Sequence, residues 1–166
     1  MTEEIRRLIR RNRGRGILLD ANVLLLHMVG MFDRSQISSF KRTRAYAPQD
    51  WDRLDDLLRR IRLRVTLPNV LTEVSNLAST IFGSARGHVF AKVMLDQIGL
   101  LRESYVNSRR AAETDEFRRL GLTDAAILEL ARARRYLLLT DDLDLAVTAA
   151  RNGVDVINFT NLRVFE

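Results

Sequence analysis

Apolar residues along the chain fall into short runs and longer periodic stretches. Ile17-Leu18-Leu19, Arg64–Leu67, Tyr136–Leu139 and Val154–Ile157 are brief and near-continuously apolar, as buried strands are. Between them the apolar positions recur at helical spacing. Residues 2–12 place Ile5, Leu8 and Ile9 on one side of a basic helix that Gly14 and Gly16 end. Ala21–Met31 follows the first strand as a helix. Pro48 opens another, with Trp51, Leu54, Leu57, Leu58 and Ile61 on its inner face, and Pro68 a third running to about Phe82. Further helices are expected over His88–Ile98, about Glu113–Leu120, Asp124–Arg134 with Thr123 as its N-cap, and Asp142–Arg151. Residues 32–47 and the stretch around Tyr105–Arg110 read as loops.

Strands alternating with helices imply a single α/β domain over residues 1–166: a short, mainly parallel sheet with helices on both faces. Ligands of such sheets bind beyond the carboxyl ends of the strands. Asp20 directly follows the first strand, and Asp141 and Asp142 follow the third. Glu73 lies early in the helix after the second strand, and Asp124 in the first turn of its own helix. Each acid alone has a structural use: Asp124 and Asp142 suit helix starts, and Glu73 borders an apolar face. Together they are a cluster that only the fold can assemble, since 53, 51 and 18 residues separate them. Clustered carboxylates raise one another's pKa values, and a divalent cation relieves the repulsion.

Composition narrows the chemistry. With no cysteine and only His27 and His88 as histidines, thiolate nucleophiles, cysteine zinc sites and histidine-rich metal sites are excluded. An all-oxygen set favours Mg²⁺ or Mn²⁺, which binds phosphate oxygens and activates water. The net charge is +6, unevenly placed: residues 1–65 carry 15 Lys and Arg against 8 Asp and Glu, residues 66–166 carry 12 against 13. All but Lys41 and Lys92 of these cations are arginine, the side chain that grips phosphate bidentately. Arg42, Arg44, Arg109 and Arg110 are candidate phosphate contacts. Tyr46 and Trp51 are aromatic candidates for base stacking, with core packing the first expectation for Trp51. No apolar run could span a bilayer and no signal-peptide core is visible, so a soluble cytoplasmic protein is expected.

The motifs resemble those of PIN-domain ribonucleases. Ile17-Leu18-Leu19-Asp20-Ala21-Asn22 is similar to the first, Pro68-Asn69-Val70-Leu71-Thr72-Glu73 to the second, Gly121-Leu122-Thr123-Asp124 to the third and Leu138-Leu139-Thr140-Asp141-Asp142-Leu143-Asp144 to the fourth. The resemblance runs from about Gly16 to Phe159. It implies a metal-dependent endoribonuclease with Asp20, Glu73, Asp124 and Asp142 as metal-binding catalytic acids. Asp144 would be an auxiliary ligand, with Asp141 as its rival for that place, and Asn22 and Thr140 would support the site by hydrogen bonds. It also implies an RNA substrate, a homodimer and, for toxin-like members of the family, a partner antitoxin. The long segment Met31–Arg64 between the first two acids and the basic helix before the first strand depart from the compact toxin pattern. A non-catalytic RNA-binding or scaffold module is the main rival reading. A phosphotransfer domain is disfavoured, because Asp20 lacks an Asp two residues on and no glycine-rich phosphate loop follows a strand.

Overall fold

The computed structural model describes residues 2–164, without the side chains of residues 163 and 164. Helix α1 (Glu3–Asn12) leads into β1 (Ile17–Leu19) and α2 (Ala21–Phe32). After a 3₁₀ turn at Arg34–Gln36 come α3 (Pro48–Arg59), β2 (Arg64–Thr66), α4 (Pro68–Leu77), α5 (Ser79–Phe82) and α6 (Gly87–Leu100). A short β3 (Arg102–Glu103) precedes α7 (Ser108–Ala112), α8 (Asp115–Leu120) and α9 (Leu122–Arg134). The chain ends in β4 (Leu137–Thr140), α10 (Leu143–Arg151), β5 (Val156–Asn158) and α11 (Phe159–Val164).

All five strands are parallel, in the order β3-β2-β1-β4-β5. Every residue of β1 and β4 is buried. Side chains of a strand alternate between its two faces, so both faces are covered there, which explains the near-continuous apolar runs. The order reverses between β1 and β4: the chain moves from β1 outward to β2 and β3, then returns to β4 and β5 on the other side. In open α/β sheets such a reversal marks where ligands bind, here the carboxyl ends of β1 and β4. One apolar core joins residues of α1, α2, α3, α4, α9 and α10 to the central strands.

Several local expectations change. Helix Ser108–Ala112 takes up part of the loop expected around Tyr105–Arg110, and Arg102–Glu103, which the sequence left unassigned, forms a short strand. Two exposed charged residues leave no periodic signal, and their pairing with β2 is decided by the neighbouring strand. The helix expected from Pro68 to Phe82 is broken at Ala78 into α4 and α5. Thr123 is not an N-cap. Gly121 takes that position at φ 88 and ψ 178, a conformation only glycine adopts readily, and the helix begins at Leu122. Residues 32–47 are irregular, as expected, but they are not a surface excursion. Ile37 and Thr43 are fully buried, the Thr43 hydroxyl donates to the Ile37 carbonyl at 2.8 Å, and Tyr46 is 6% exposed. Among the described residues no helix is long and apolar enough to cross a membrane.

Candidate functional site

Parallel strands deliver their carboxyl ends to one edge, and the acids gather there. Asp20 ends β1 and caps α2, its Oδ1 accepting the Asn22 backbone N–H at 3.2 Å. Thr140, the last residue of the adjacent β4, is fully buried. Its hydroxyl donates to Asp20 Oδ2 at 2.6 Å and accepts the Asp142 backbone N–H at 3.0 Å. One hydroxyl therefore joins the two strand ends, with its proton committed toward Asp20. Asp142 caps α10, accepting the Leu145 N–H at 2.9 Å. Asp124 reaches the same edge from the opposite direction. Helix α9 descends to the start of β4, so its first turn lies at the top. Glu73 enters on α4, the helix that follows β2.

The electrostatics tie these positions together. Burial pushes the Asp20 carboxyl up to about 6, opposed by the Thr140 and Asn22 hydrogen bonds and reinforced by the charges of Asp141 and Glu73. Asp124 is pushed up to about 7, first by burial, then by the charges of Asp20, Asp142 and Glu73. All four expected acids thus act on one another across 53, 51 and 18 residues of sequence. Arginine pairs with many other acids of the chain, yet no Lys or Arg forms an ion pair with Asp20, Glu73, Asp124 or Asp142 among the described residues. The donor set is all carboxylate and hydroxyl oxygen, which matches Mg²⁺ or Mn²⁺ in type. Its closure is looser: among the described residues, no three His, Asp or Glu side chains stand close enough to hold a metal ion as they are oriented. Neither Glu73 nor Asp124 has a hydrogen bond fixing its carboxylate among the described residues, so both can turn toward a cation.

The supporting residues divide. Thr140 contributes its side chain, whereas Asn22 contributes its backbone N–H and leaves its amide exposed. Asp144 is exposed on the first turn of α10. Asp141 is half-buried beside Asp20: it accepts a hydrogen bond from the Tyr46 hydroxyl on Oδ2, and its buried Oδ1 has no partner among the described residues. Of these two, Asp141 is the one whose charge acts on Asp20. Tyr46 is thereby buried and packs its ring 6.0 Å from Phe159, so it offers no stacking face. No sequence signal links it to Asp141, 95 residues away. Trp51 packs as expected, donating to the His27 carbonyl at 3.0 Å and stacking on the buried His27 ring at 6.0 Å. Burial holds that imidazole down at about 4. His88 is exposed on α6.

Of the candidate phosphate contacts, Arg42 and Arg44 are exposed on the segment that carries Tyr46. Arg109 lies 3.6 Å from Glu113, a weak exposed pair. Arg110 is tied to the buried carboxylate of Glu129, which Arg132 also contacts at 2.7 Å. This pairing holds α7 on α9 and reduces what Arg110 can offer a substrate. No protein-family model, curated protein or solved structure matches the chain.

Proposed function

We propose that the carboxyl edge of the sheet is a divalent-cation site that hydrolyses RNA phosphodiester bonds, making the protein an endoribonuclease of the PIN type. One observation carries the reading: the charges of Asp20, Glu73 and Asp142 converge on Asp124 at a strand-order reversal, with no cationic side chain paired to any of the four among the described residues. A structural role would be served better by neutral or paired groups, because clustered carboxylates cost stability. Mg²⁺ or Mn²⁺ held by these four acids would neutralise the phosphate and generate a nucleophile from water. Asp20 is the fixed member, oriented by Thr140 and the Asn22 N–H. Glu73 and Asp124 are the adjustable members, and Asp142 is placed by its capping bond.

A second reading has its own support: the open arrangement of the acids fits a non-catalytic RNA-binding or scaffold module. Cleavage of structured and unstructured RNAs in Mg²⁺, Mn²⁺ or EDTA separates the two, with folded Asp20→Asn/Asp124→Asn protein as control. Metal-dependent cutting that the double variant lacks supports the nuclease. RNA left intact by both proteins, though bound by both, favours the module. Toxin and RNA-processing roles divide on whether expression arrests growth and a small partner protein relieves it. The long segment between Asp20 and Glu73 leans toward processing.

A further inference from the structure

The opposite edge of the sheet has the opposite chemistry. Residues entering β1, β2, β4 and β5 all lie there, as shown by the bonds from the Leu137 N–H to the Gly16 carbonyl at 3.0 Å and from the Ile17 N–H to the Leu63 carbonyl at 2.9 Å. Helix α1 is fixed against this edge. Ile5 and Ile9 are buried, and the fully buried Asn12 donates to Asp155 Oδ2 at 2.8 Å while Arg11 pairs with the same carboxylate. With one side of α1 held inward, its arginines fall on two flanks. Arg6, Arg10 and Arg13, spaced i, i+4 and i+7, line a cavity of about 420 Å³ together with Arg59 and Arg60 from the end of α3. Arg11 and Arg15 line a second, of about 210 Å³, with Arg132 and Arg135 from the end of α9.

These cavities are only partly neutralised: Arg6 and Arg10 pair with Glu3, Arg59 with Asp55, Arg60 with Asp56, Arg11 with Asp155 and Arg132 with Glu129, so nine arginines meet five acids. Arg13, Arg15 and Arg135 are exposed and form no ion pair among the described residues. Residues one turn apart on a helix have Cβ atoms about 5–6 Å from each other, so their guanidinium groups form a row along one flank. Such a row suits a ligand with regularly repeated negative charge. A folded protein partner would require an apolar centre to the interface. None of the exposed large apolar side chains among the described residues, such as Leu95, Leu100, Leu143 and Tyr105, lines either cavity.

We infer that the two arginine-lined cavities flanking α1 form a docking surface for the phosphate backbone of an RNA strand. The inference rests on the ribonuclease reading only in choosing RNA over DNA. The central strands are three or four residues long, so roughly 10–13 Å of sheet separates this surface from the acids. The amino edge therefore governs affinity for long RNA and takes no part in bond cleavage.

The test is fluorescence anisotropy with a labelled unstructured RNA of about 20 nucleotides, in EDTA and on an Asp20→Asn/Asp124→Asn background that cannot cut it. Arg13→Gln/Arg15→Gln/Arg135→Asn is the informative variant. These side chains leave no ion pair behind among the described residues, and asparagine tolerates the φ of 55 at Arg135. We expect affinity to fall at least about tenfold, with a log–log salt dependence shallower by about 2, the share of three single-strand phosphate contacts. Lysine at positions 13 and 15, with Arg135 retained, should keep most of the binding. Unchanged affinity in the triple variant overturns the inference. So does polyglutamate of equal charge displacing the RNA as well as unlabelled RNA does, which would assign the surface to an acidic polypeptide. Failure of the nuclease reading would show separately, as long RNA left intact by the wild type, and would leave the anisotropy result standing.

Discussion

The carboxyl and amino edges of this sheet are built from the same five strands and differ in what fills them. At the carboxyl edge, Asp20 is buried, Glu73 and Asp124 are half-buried, and directed hydrogen bonds join Asp20, Thr140 and Asp142 into one connected unit. At the amino edge, guanidinium groups are exposed on long side chains, and most of the fixed structure lies beneath them, in Ile5, Ile9 and Asn12. Burial magnifies electrostatic interactions and makes them sensitive to position. Exposure leaves them weak, additive and screened by salt. The acidic edge should therefore respond steeply to single atoms, and the basic edge gradually to total charge.

That contrast can be broken at several points. The largest effect is expected at Asp124: replacement by Asn should lower metal-dependent cleavage by on the order of a thousandfold while leaving RNA anisotropy unchanged. Comparable loss of binding would show that the acids hold RNA instead of cutting it. Next is Thr140→Val, which removes the hydroxyl joining the two strand ends. It should reduce cleavage roughly 10- to 100-fold, the usual cost of losing support for a metal ligand. Full activity in that variant would mean that Asp20 is oriented by its backbone alone.

The third prediction concerns pH. Asp20 and Asp124 titrate in the folded chain at about 6 and about 7, against an ordinary 3.8. The folded protein thus binds these protons more tightly than the unfolded chain. Their stabilising contribution is full below pH of about 4 and is lost as pH rises through 6 to 7. In EDTA, Asp124→Asn should raise stability at pH 8 by about 2 kcal/mol and change it little at pH 4. Denaturant melts at both pH values check this, and Mg²⁺ should stabilise the wild type at pH 8 more than the variant. Equal effects at the two pH values would remove the charge explanation. Fourth, Tyr46→Phe should cost about 1 kcal/mol by leaving Asp141 without its donor, with a modest fall in cleavage. A variant as stable as wild type would show that the segment is held by packing alone. The smallest effect is expected at the basic edge, where Arg13→Gln/Arg15→Gln should change stability by less than about 0.5 kcal/mol per site. A larger loss would mean these arginines are structural.

Much of the acidic site was legible because its geometry follows from local rules. A buried strand ending in Asp, a helix opening with Asp and a Thr two residues before an Asp each mark an edge position. Asp141 and Tyr46 were not legible in the same way. Asp141 differs from Asp144 only in burial, which depends on a tyrosine arriving from a segment with no periodicity. Arg110 looked free because its partner Glu129 lies on another helix and is buried. The break at Ala78 and the strand at Arg102–Glu103 were hidden because short elements take their shape from neighbours.

By itself, the sequence determined the alternation of strand and helix, the parallel sheet and the strand ends that carry acids, because hydrophobic period and connection length are local properties of the chain. Only the tertiary structure decided which charges meet. Pairing, burial and mutual repulsion depend on distances between residues far apart in sequence: Asp20 with Thr140, Tyr46 with Asp141, and the arginines of α1 with those ending α3 and α9.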